Sequence, residues 1–207
     1  MRRLATLAAL ALTAYAPLAT AVPKGDYKID KSHTSLLFRV SHLGFSTYTG
    51  RFTGVDAQLD FDPARIATSR VNVTIDPRSI QADNAPSGFL DSLAGKDWLD
   101  AGQFPAMSFR STNIELTGKN SFRIHGDLTL HGVTKPLVLT ARYNGGYASH
   151  PMEPRARIGF SATGNFKRSD FGVTYGIPDP GTTMGVSDDV EVILETEFTG
   201  PPLAAAK

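Results

Sequence analysis

The feature that most constrains the fold of this chain is an alternation of apolar and polar residues with a period of two. Phe122, Ile124, Leu128 and Leu130, for example, alternate with polar residues. Because successive side chains of a β-strand point to opposite faces, this pattern predicts half-buried strands. Comparable segments occupy residues 35–41, 71–75, 157–166 and 190–198. With ordinary strand lengths, we expect about eight strands in total.

Two departures from the alternation shape the expected architecture. Residues 86–102 lack β-branched side chains and space their large apolar residues by three and four, which predicts one short helix with a break at Gly95. Between Phe52 and Val55 the apolar positions switch from even to odd numbers, which indicates a bulge or a sharp bend. Many short strands with such a bend and one helix favour a barrel or a sandwich.

The N-terminal residues are expected to direct export rather than to join the fold. Arg2 and Arg3 precede an apolar run, and Ala19-Thr20-Ala21 has the small residues of a cleavage site, so residues 1–21 are interpreted as a signal peptide. Residues 22–200 are then one domain, and residues 201–207 a flexible tail. Since the chain has no cysteine, neither a lipid anchor nor a disulfide is expected, and we predict an exported periplasmic protein without stable membrane insertion.

Charge and motifs exclude several classes of function. The 21 basic and 20 acidic residues nearly balance and form no basic block, so nucleic acid is not an expected partner. The five histidines have no metal-ligand spacing, and two serines in Gly-x-Ser contexts, Ser46 and Ser161, lack the second glycine of a nucleophile elbow. We therefore predict no catalytic residue, no metal site and no cofactor.

The stretch 126–136 is rich in polar side chains but is explained by turn chemistry. Leu128 and Leu130 continue the apolar face of one strand, Gly132 can adopt a positive φ, and Pro136 stiffens the next strand. The stretch is therefore interpreted as two strands joined by a turn with His131 at its tip.

Arg168 is the one charged residue that falls on an apolar strand face. It shares the parity of Ile158, Phe160 and Phe166, and an unpaired buried guanidinium would be costly. Either it pairs with Asp170 or another acid, or it contacts an anionic ligand head group. The twelve phenylalanines leave a second question open, because they could form a packed core or line a cavity.

The chain resembles the YceI-like family of bacterial periplasmic polyisoprenoid-binding proteins over nearly all of its predicted mature part. The order and number of the matching blocks carry the resemblance, of which the stretch 126–136 is the clearest. The other blocks are Tyr27–Asp30, His33–Ser35, Phe38–Gly44, Gly50–Phe52, Trp98–Asp100, Phe104–Pro105, Met107–Ser111, Arg168–Gly172 and Asp188–Glu191.

This resemblance implies an all-β, lipocalin-like, eight-stranded antiparallel barrel whose short helical segment covers one end. It implies a non-catalytic protein that holds a long-chain isoprenoid, such as an isoprenoid quinone, prenol or prenyl phosphate, in an apolar cavity. The expected partners are this lipid or a similar amphiphile and, since nothing in the sequence excludes it, a second copy in a homodimer. Arg168 is the candidate head-group contact. The expected cavity-lining residues are Phe38, Val40, Phe52, Phe89, Trp98, Leu99, Phe109, Leu128, Leu130, Phe160 and Phe166.

The chain departs from the family pattern on the helical segment. Many relatives have a histidine followed by leucine and a basic residue there, whereas this chain reads Asp91-Ser92-Leu93-Ala94. If those residues hold a head group in relatives, the ligand here is a more neutral one, such as a quinone, a prenol or a fatty amide.

Three alternatives stay open at this point. The protein could be an enzyme that modifies such a lipid, with His33, His42 or Arg168 in a role. It could be a barrel with a packed core and no ligand. It could be a small outer-membrane barrel, although the sequence shows no aromatic girdles.

Overall fold

The computed structural model describes residues 22–202, which form ten strands, one α-helix and three short 3₁₀ turns. The predicted signal peptide and residues 203–207 lie outside the described residues. The last strand runs to Pro202, so the predicted domain end at residue 200 falls inside it. The elements are β1 (Gly25–His42), β2 (Ser46–Phe52), β3 (Val55–Phe61), β4 (Arg70–Ile75), β5 (Ile80–Gln81), α1 (Phe89–Ala94), β6 (Met107–Leu116), β7 (Ser121–Leu130), β8 (Val133–Tyr147), β9 (Arg155–Lys167) and β10 (Asp189–Pro202).

Eight of the strands close into an antiparallel barrel. The ring runs β1–β10–β9–β8–β7–β6–β4–β3 and returns to β1. The closing pair joins the first and last strands, from Lys28 opposite Thr199 to Arg39 opposite Glu191, with one shift of register between them. This confirms the eight-stranded antiparallel barrel that the sequence and its family resemblance predict. Closure leaves the ring strands no free edge.

The predicted bend lies between β2 and β3. Both strands pair with β1, β2 along residues 36–42 and β3 along residues 25–28, and Thr53 and Gly54 separate them. The switch of apolar parity is therefore a break within one long bent strand. β1 bends as well, because its pairing with β10 shifts register between Asp30 and Ser35.

Beside β2 the barrel is completed by a loop and a helix instead of a strand. β2 pairs with β1 on one side and only with the two residues of β5 on the other. Residues 82–99, here called the wall segment, follow β5 and contain α1. Helix α1 ends where the sequence predicted, because the Gly95 N–H donates to the carbonyl of Ser92 at 3.0 Å and the chain then leaves the helical path.

The hairpin between β7 and β8 confirms the interpretation of the stretch 126–136. Its two turn residues, His131 and Gly132, both have positive φ, 51° and 75°, as a type I′ turn requires. The His131 ring packs 4.6 Å from the Phe104 ring, and its Nδ1 lies 3.2 Å from the carbonyl oxygen of Phe171. His131 thus has a structural role at the tip of the turn.

The barrel interior is packed at one end and hollow at the other. Tyr27, Phe61, Ile158 and Phe198 fill the packed end, and each is at most 4% exposed. The Tyr27 hydroxyl donates to the carbonyl of Pro23, 2.7 Å away, so its polar group is satisfied. The hollow end lies towards the wall segment.

Candidate ligand-binding cavity

The hollow end contains a cavity of about 510 Å³, here called the main cavity. This volume falls within the roughly 300–1,000 Å³ usual for small-molecule sites. Residues of β1, β2, β4, β6, β7, β8, β9 and β10 line it together with the wall segment, and Ile80, Arg168, Val173 and Val186 complete the lining. A fully packed interior, which the composition left open, is therefore not what the structure shows.

Ten of the eleven lining residues expected from the sequence surround the main cavity. Phe160 instead faces a second cavity of about 100 Å³ nearer the packed end. The ten residues are Phe38, Val40, Phe52, Phe89, Trp98, Leu99, Phe109, Leu128, Leu130 and Phe166. Sequence reasoning missed other lining residues, most of them on strands from which it had named none; these include Ile75 of β4, Met107 of β6, Leu137 and Leu139 of β8, and Val190, Val192 and Leu194 of β10.

Glycines on neighbouring strands keep large aromatic rings flat against the barrel wall. The Phe38 ring lies over Gly50, its partner across β1 and β2, and the Phe109 ring of β6 lies over Gly126 of β7, which pairs with Ser111. A Cβ at either glycine would collide with the ring. The two glycines therefore leave room for aromatic side chains that would otherwise project into the cavity.

The main cavity narrows towards the packed end. Five apolar residues border both the main and the second cavity, and they mark the constriction: Leu36, Val73, Phe109, Leu139 and Leu194. Beyond the second cavity lie the packed side chains around Tyr27 and Phe61. An elongated ligand in the main cavity would thus end against apolar groups.

The polar groups of the main cavity lie mostly at its opposite end. His42, Asp83, Asn84 and Pro86 line it and are exposed to solvent, and they are here called the mouth. His42 is the last residue of β1, and the other three belong to the wall segment. A ligand with one polar end and an apolar tail would fit with its polar end at this mouth.

Tyr48 is a further polar residue of the main cavity, and sequence reasoning missed it. Its ring packs edge-on against Phe89 at 6.2 Å, and its hydroxyl oxygen is buried with no hydrogen-bond partner. Burial and the nearby Asp83 charge raise the pKa of the Tyr48 hydroxyl above its usual range. The signal in the sequence was its parity with Gly50 and Phe52.

Arg168 borders the main cavity, but its partners differ from the predicted ones. The guanidinium is 4% exposed and donates four hydrogen bonds to backbone carbonyls. Its carbon Cζ also lies 5.0 Å from the centre of the Trp98 ring, a cation–π contact. The predicted ion pair with Asp170 or another acid is wrong within residues 22–202. The accepting carbonyls belong to Val173, Tyr175, Val186 and Ser187, at 2.8–3.1 Å.

A cluster on the outer face of the barrel brings together Asp30, His33 and Glu197, whose ligand atoms lie within 4.8 Å of one another. Arg157 from β9 already occupies this cluster. Its Nη1 lies 2.7 Å from Asp30 Oδ2 and also contacts Glu197. The negative charge is therefore met by a guanidinium. His33 lines neither cavity, in contrast to His42, which lines the main cavity.

The closed eight-stranded antiparallel barrel and its apolar cavity place this protein in the class of β-barrels whose interior has room for one small ligand. The sequence model of the YceI-like domain matches residues 27–198, so the chain belongs to the YceI-like family. A UPF0312 protein of Vibrio cholerae is 35% identical to it over 194 residues, which cover 93% of this chain and 96% of that protein.

Solved structures agree on the fold. The crystal structure of Burkholderia cenocepacia BcnA matches with a TM-score of 0.70 and 26% identity, covering 82% of this chain and 98% of BcnA. A polyisoprenoid-binding domain from Saccharophagus degradans matches with a TM-score of 0.64 and covers 86% of this chain and all of that domain, at 14% identity. At that identity the likeness concerns the fold alone. No helix in the described part of the chain is long and apolar enough to cross a bilayer.

Proposed function

We propose that this protein is a non-catalytic periplasmic binding protein that holds one long-chain isoprenoid lipid in its main cavity. The observation that carries the proposal is a cavity of about 510 Å³ with apolar walls, an apolar inner end and its polar side chains gathered near the mouth. That distribution matches an amphiphile with one polar head and one hydrocarbon tail. The fold shared with a polyisoprenoid-binding domain supports the same ligand class.

Apolar burial alone supplies enough free energy for such binding. Each buried CH₂ contributes about 0.8 kcal/mol, so a five-carbon isoprene unit contributes roughly 4 kcal/mol before the cost of ordering the ligand. Affinity is expected to rise with tail length until the tail reaches the constriction around Leu36 and Leu194. The head group would then adjust selectivity by a smaller amount.

The alternative of a lipid-modifying enzyme has little support in the cavity. Of the candidate residues, His33 lies on the outer face, and the guanidinium of Arg168 is committed to backbone carbonyls. His42 is exposed at the mouth, and the carboxylate there is Asp83. Incubation of the purified protein with a candidate lipid, followed by product analysis, would reveal turnover if this alternative were correct.

The role also requires export, for which residues 1–21 have the features of a signal peptide. Osmotic-shock release of the full-length gene product, with its N-terminus then sequenced, tests this part. We expect release without detergent and an N-terminus at Val22. Retention in the cytoplasm with Met1 intact would contradict the periplasmic role.

The decisive experiment is native mass spectrometry of protein exported to the periplasm, followed by organic extraction and identification of the lipid. We expect one prenyl lipid per chain, and the same spectrum reports whether a homodimer forms. An empty protein that also fails to bind quinones, prenols and fatty amides when they are added would contradict the proposed function.

A further inference from the structure

The Tyr48 hydroxyl is an unmatched polar group at the edge of the ligand cavity. Its oxygen is buried and is the one buried side-chain polar atom without a hydrogen-bond partner in residues 22–202. Buried polar groups are nearly always paired, because leaving one unpaired costs roughly 1–3 kcal/mol. Tyr48 lines the main cavity beside mouth residue Asp83. A partner supplied by the ligand would satisfy this hydroxyl.

Two other polar groups of the lining, Arg168 and Asp83, are poorly suited to bind an anion. Four of the five N–H groups of Arg168 donate to backbone carbonyls, so the guanidinium has little capacity left for a ligand. Asp83 places a negative charge at the mouth, and its nearest cation, Arg51, lies 3.9 Å away with both side chains largely exposed. Among the described lining residues, no lysine and no other arginine is present.

From this arrangement we infer that Tyr48 is the head-group contact of the cavity and donates its hydrogen bond to a neutral oxygen of the ligand. The inference rests on the proposed function and specifies it further. It selects an isoprenoid whose head presents a carbonyl or hydroxyl oxygen, as a prenylated quinone or a prenol does. It disfavours a prenyl diphosphate, which would meet the negative charge of Asp83 in a lining that offers no lysine and whose one arginine is committed to backbone carbonyls.

The protonation state of the Tyr48 phenol supports its role as a hydrogen-bond donor. Burial and the Asp83 charge both raise the pKa of Tyr48, so the hydroxyl keeps its proton at neutral pH. A neutral phenol can donate one hydrogen bond and accept others, whereas a phenolate could only accept. The edge-on contact with Phe89 of α1 fixes the ring and therefore the position of the hydroxyl.

The test compares Tyr48→Phe with wild type for three probes of equal tail length: a prenylated benzoquinone, a prenyl diphosphate and an isoprenoid hydrocarbon without a head. We expect the substitution to weaken quinone binding about fivefold, which corresponds to one net hydrogen bond of about 1 kcal/mol. Binding of the hydrocarbon should stay within about twofold of wild type. Tyr175→Phe is the matched control, because Tyr175 is 57% exposed and belongs to neither cavity.

A second variant, Asp83→Asn, tests the charge at the mouth. We expect it to raise affinity for the diphosphate severalfold and to leave the quinone nearly unchanged. Equal loss of quinone and hydrocarbon binding in Tyr48→Phe, no loss at all, or a wild-type preference for the diphosphate over the quinone would each overturn the inference. These outcomes still include binding of a lipid, so they differ from failure of the proposed function, in which none of the probes binds.

Discussion

At the scale of single residues, Arg168 shows how a charged side chain can be buried without an acidic partner. Its guanidinium donates hydrogen bonds to carbonyls in two parts of the long loop between β9 and β10, at Val173 and Tyr175 and at Val186 and Ser187. These bonds hold both parts of the loop against the end of β9. Burial lowers its pKa, with Asp188 acting in the opposite direction. The backbone carbonyls accept the hydrogen bonds that water accepts from an exposed guanidinium.

Replacing this side chain should destabilise the fold strongly. We expect Arg168→Met to lower the free energy of unfolding by roughly 3 kcal/mol or more, since carbonyls that accepted charged donors lose them. Arg168→Lys should recover only part of the loss, because an ammonium cannot reproduce the planar fork. Urea unfolding of the ligand-free protein measures both. Arg142→Met, at an exposed site on β8, is the control, and a loss below about 1 kcal/mol in Arg168→Met would contradict the structural role.

Gly50 allows a second prediction at this scale. A methyl group there would displace the Phe38 ring from the barrel wall into the main cavity. We expect Gly50→Ala to weaken binding of a long-tailed lipid about fourfold, the equivalent of losing one buried CH₂ of about 0.8 kcal/mol. Titration calorimetry with tails of increasing length should also show a shorter optimum. Gly102→Ala serves as the control, because a Cβ there would meet only Asp100 Oδ1, at an ordinary contact distance of 3.8 Å. Unchanged affinity in Gly50→Ala would show that the Phe38 ring does not move into the cavity.

At the scale of elements, the sequence patterns predicted which face of a strand points inward, but they did not predict how far along the barrel axis a residue lies. The alternation in β9 correctly placed Phe160 and Phe166 on the same inward face, but the two residues lie at different heights along the barrel and face different cavities. Periodicity of two reports which side of a strand is buried and says nothing about position along the barrel axis. The partners of Arg168 were unpredictable for a related reason, since backbone carbonyls of a loop carry no sequence signature.

Turn chemistry was more informative, and the β7–β8 hairpin provides a test. Gly132 combines a positive φ of 75° with a position where a Cβ would collide with the Phe104 ring. Gly88 has a similar φ of 76° but nothing within 4 Å. We expect Gly88→Ala to cost about 1 kcal/mol from backbone strain alone, and Gly132→Ala to cost clearly more. Thermal unfolding of the two variants separates the cost of backbone strain from the cost of a collision with the Phe104 ring. Equal losses of stability would contradict the packing of Phe104 on this turn.

At the scale of the whole molecule, the barrel is closed by its first and last strands, and an ion cluster crosses that seam. Arg157 of β9 contacts Glu197 of β10 and Asp30 of β1, and it also binds Glu153. A hydrogen bond from Ser32, with further ones from His33 and Arg157, lowers the pKa of Asp30, and Arg157 lowers the pKa of Glu153. The contact of Arg157 with Asp30 forms only when β9 and β1 lie side by side across β10, so this part of the effect depends on the closed barrel.

The seam therefore predicts how stability depends on pH. A carboxyl whose pKa is lower in the folded state contributes stability above its unfolded value, and this contribution is lost as the pH falls towards the folded value. The ordinary values are 3.8 for Asp30 and 4.5 for Glu153, so stability should begin to fall near pH 4.5 and decrease further below 3.8. Urea midpoints between pH 7 and pH 3 measure this dependence.

Arg157→Met should lower stability at neutral pH and make the decrease between pH 7 and pH 3 smaller. Arg123→Met removes another arginine of the outer face, whose contact with Glu115 is 3.9 Å long and exposed, and it should leave the pH dependence unchanged. Parallel pH curves for wild type and Arg157→Met would show that the cluster does not contribute.

The wall segment has a consequence for the timing of ligand exchange. Parting two ring strands would break a ladder of backbone hydrogen bonds, whereas residues 82–99 cover the cavity without strand pairing to their neighbours. Local opening is least costly where few such bonds must break. The lifetime of a bound lipid can therefore be set by the fluctuations of about eighteen residues, while the rest of the barrel stays closed, so that release and unfolding proceed at independent rates.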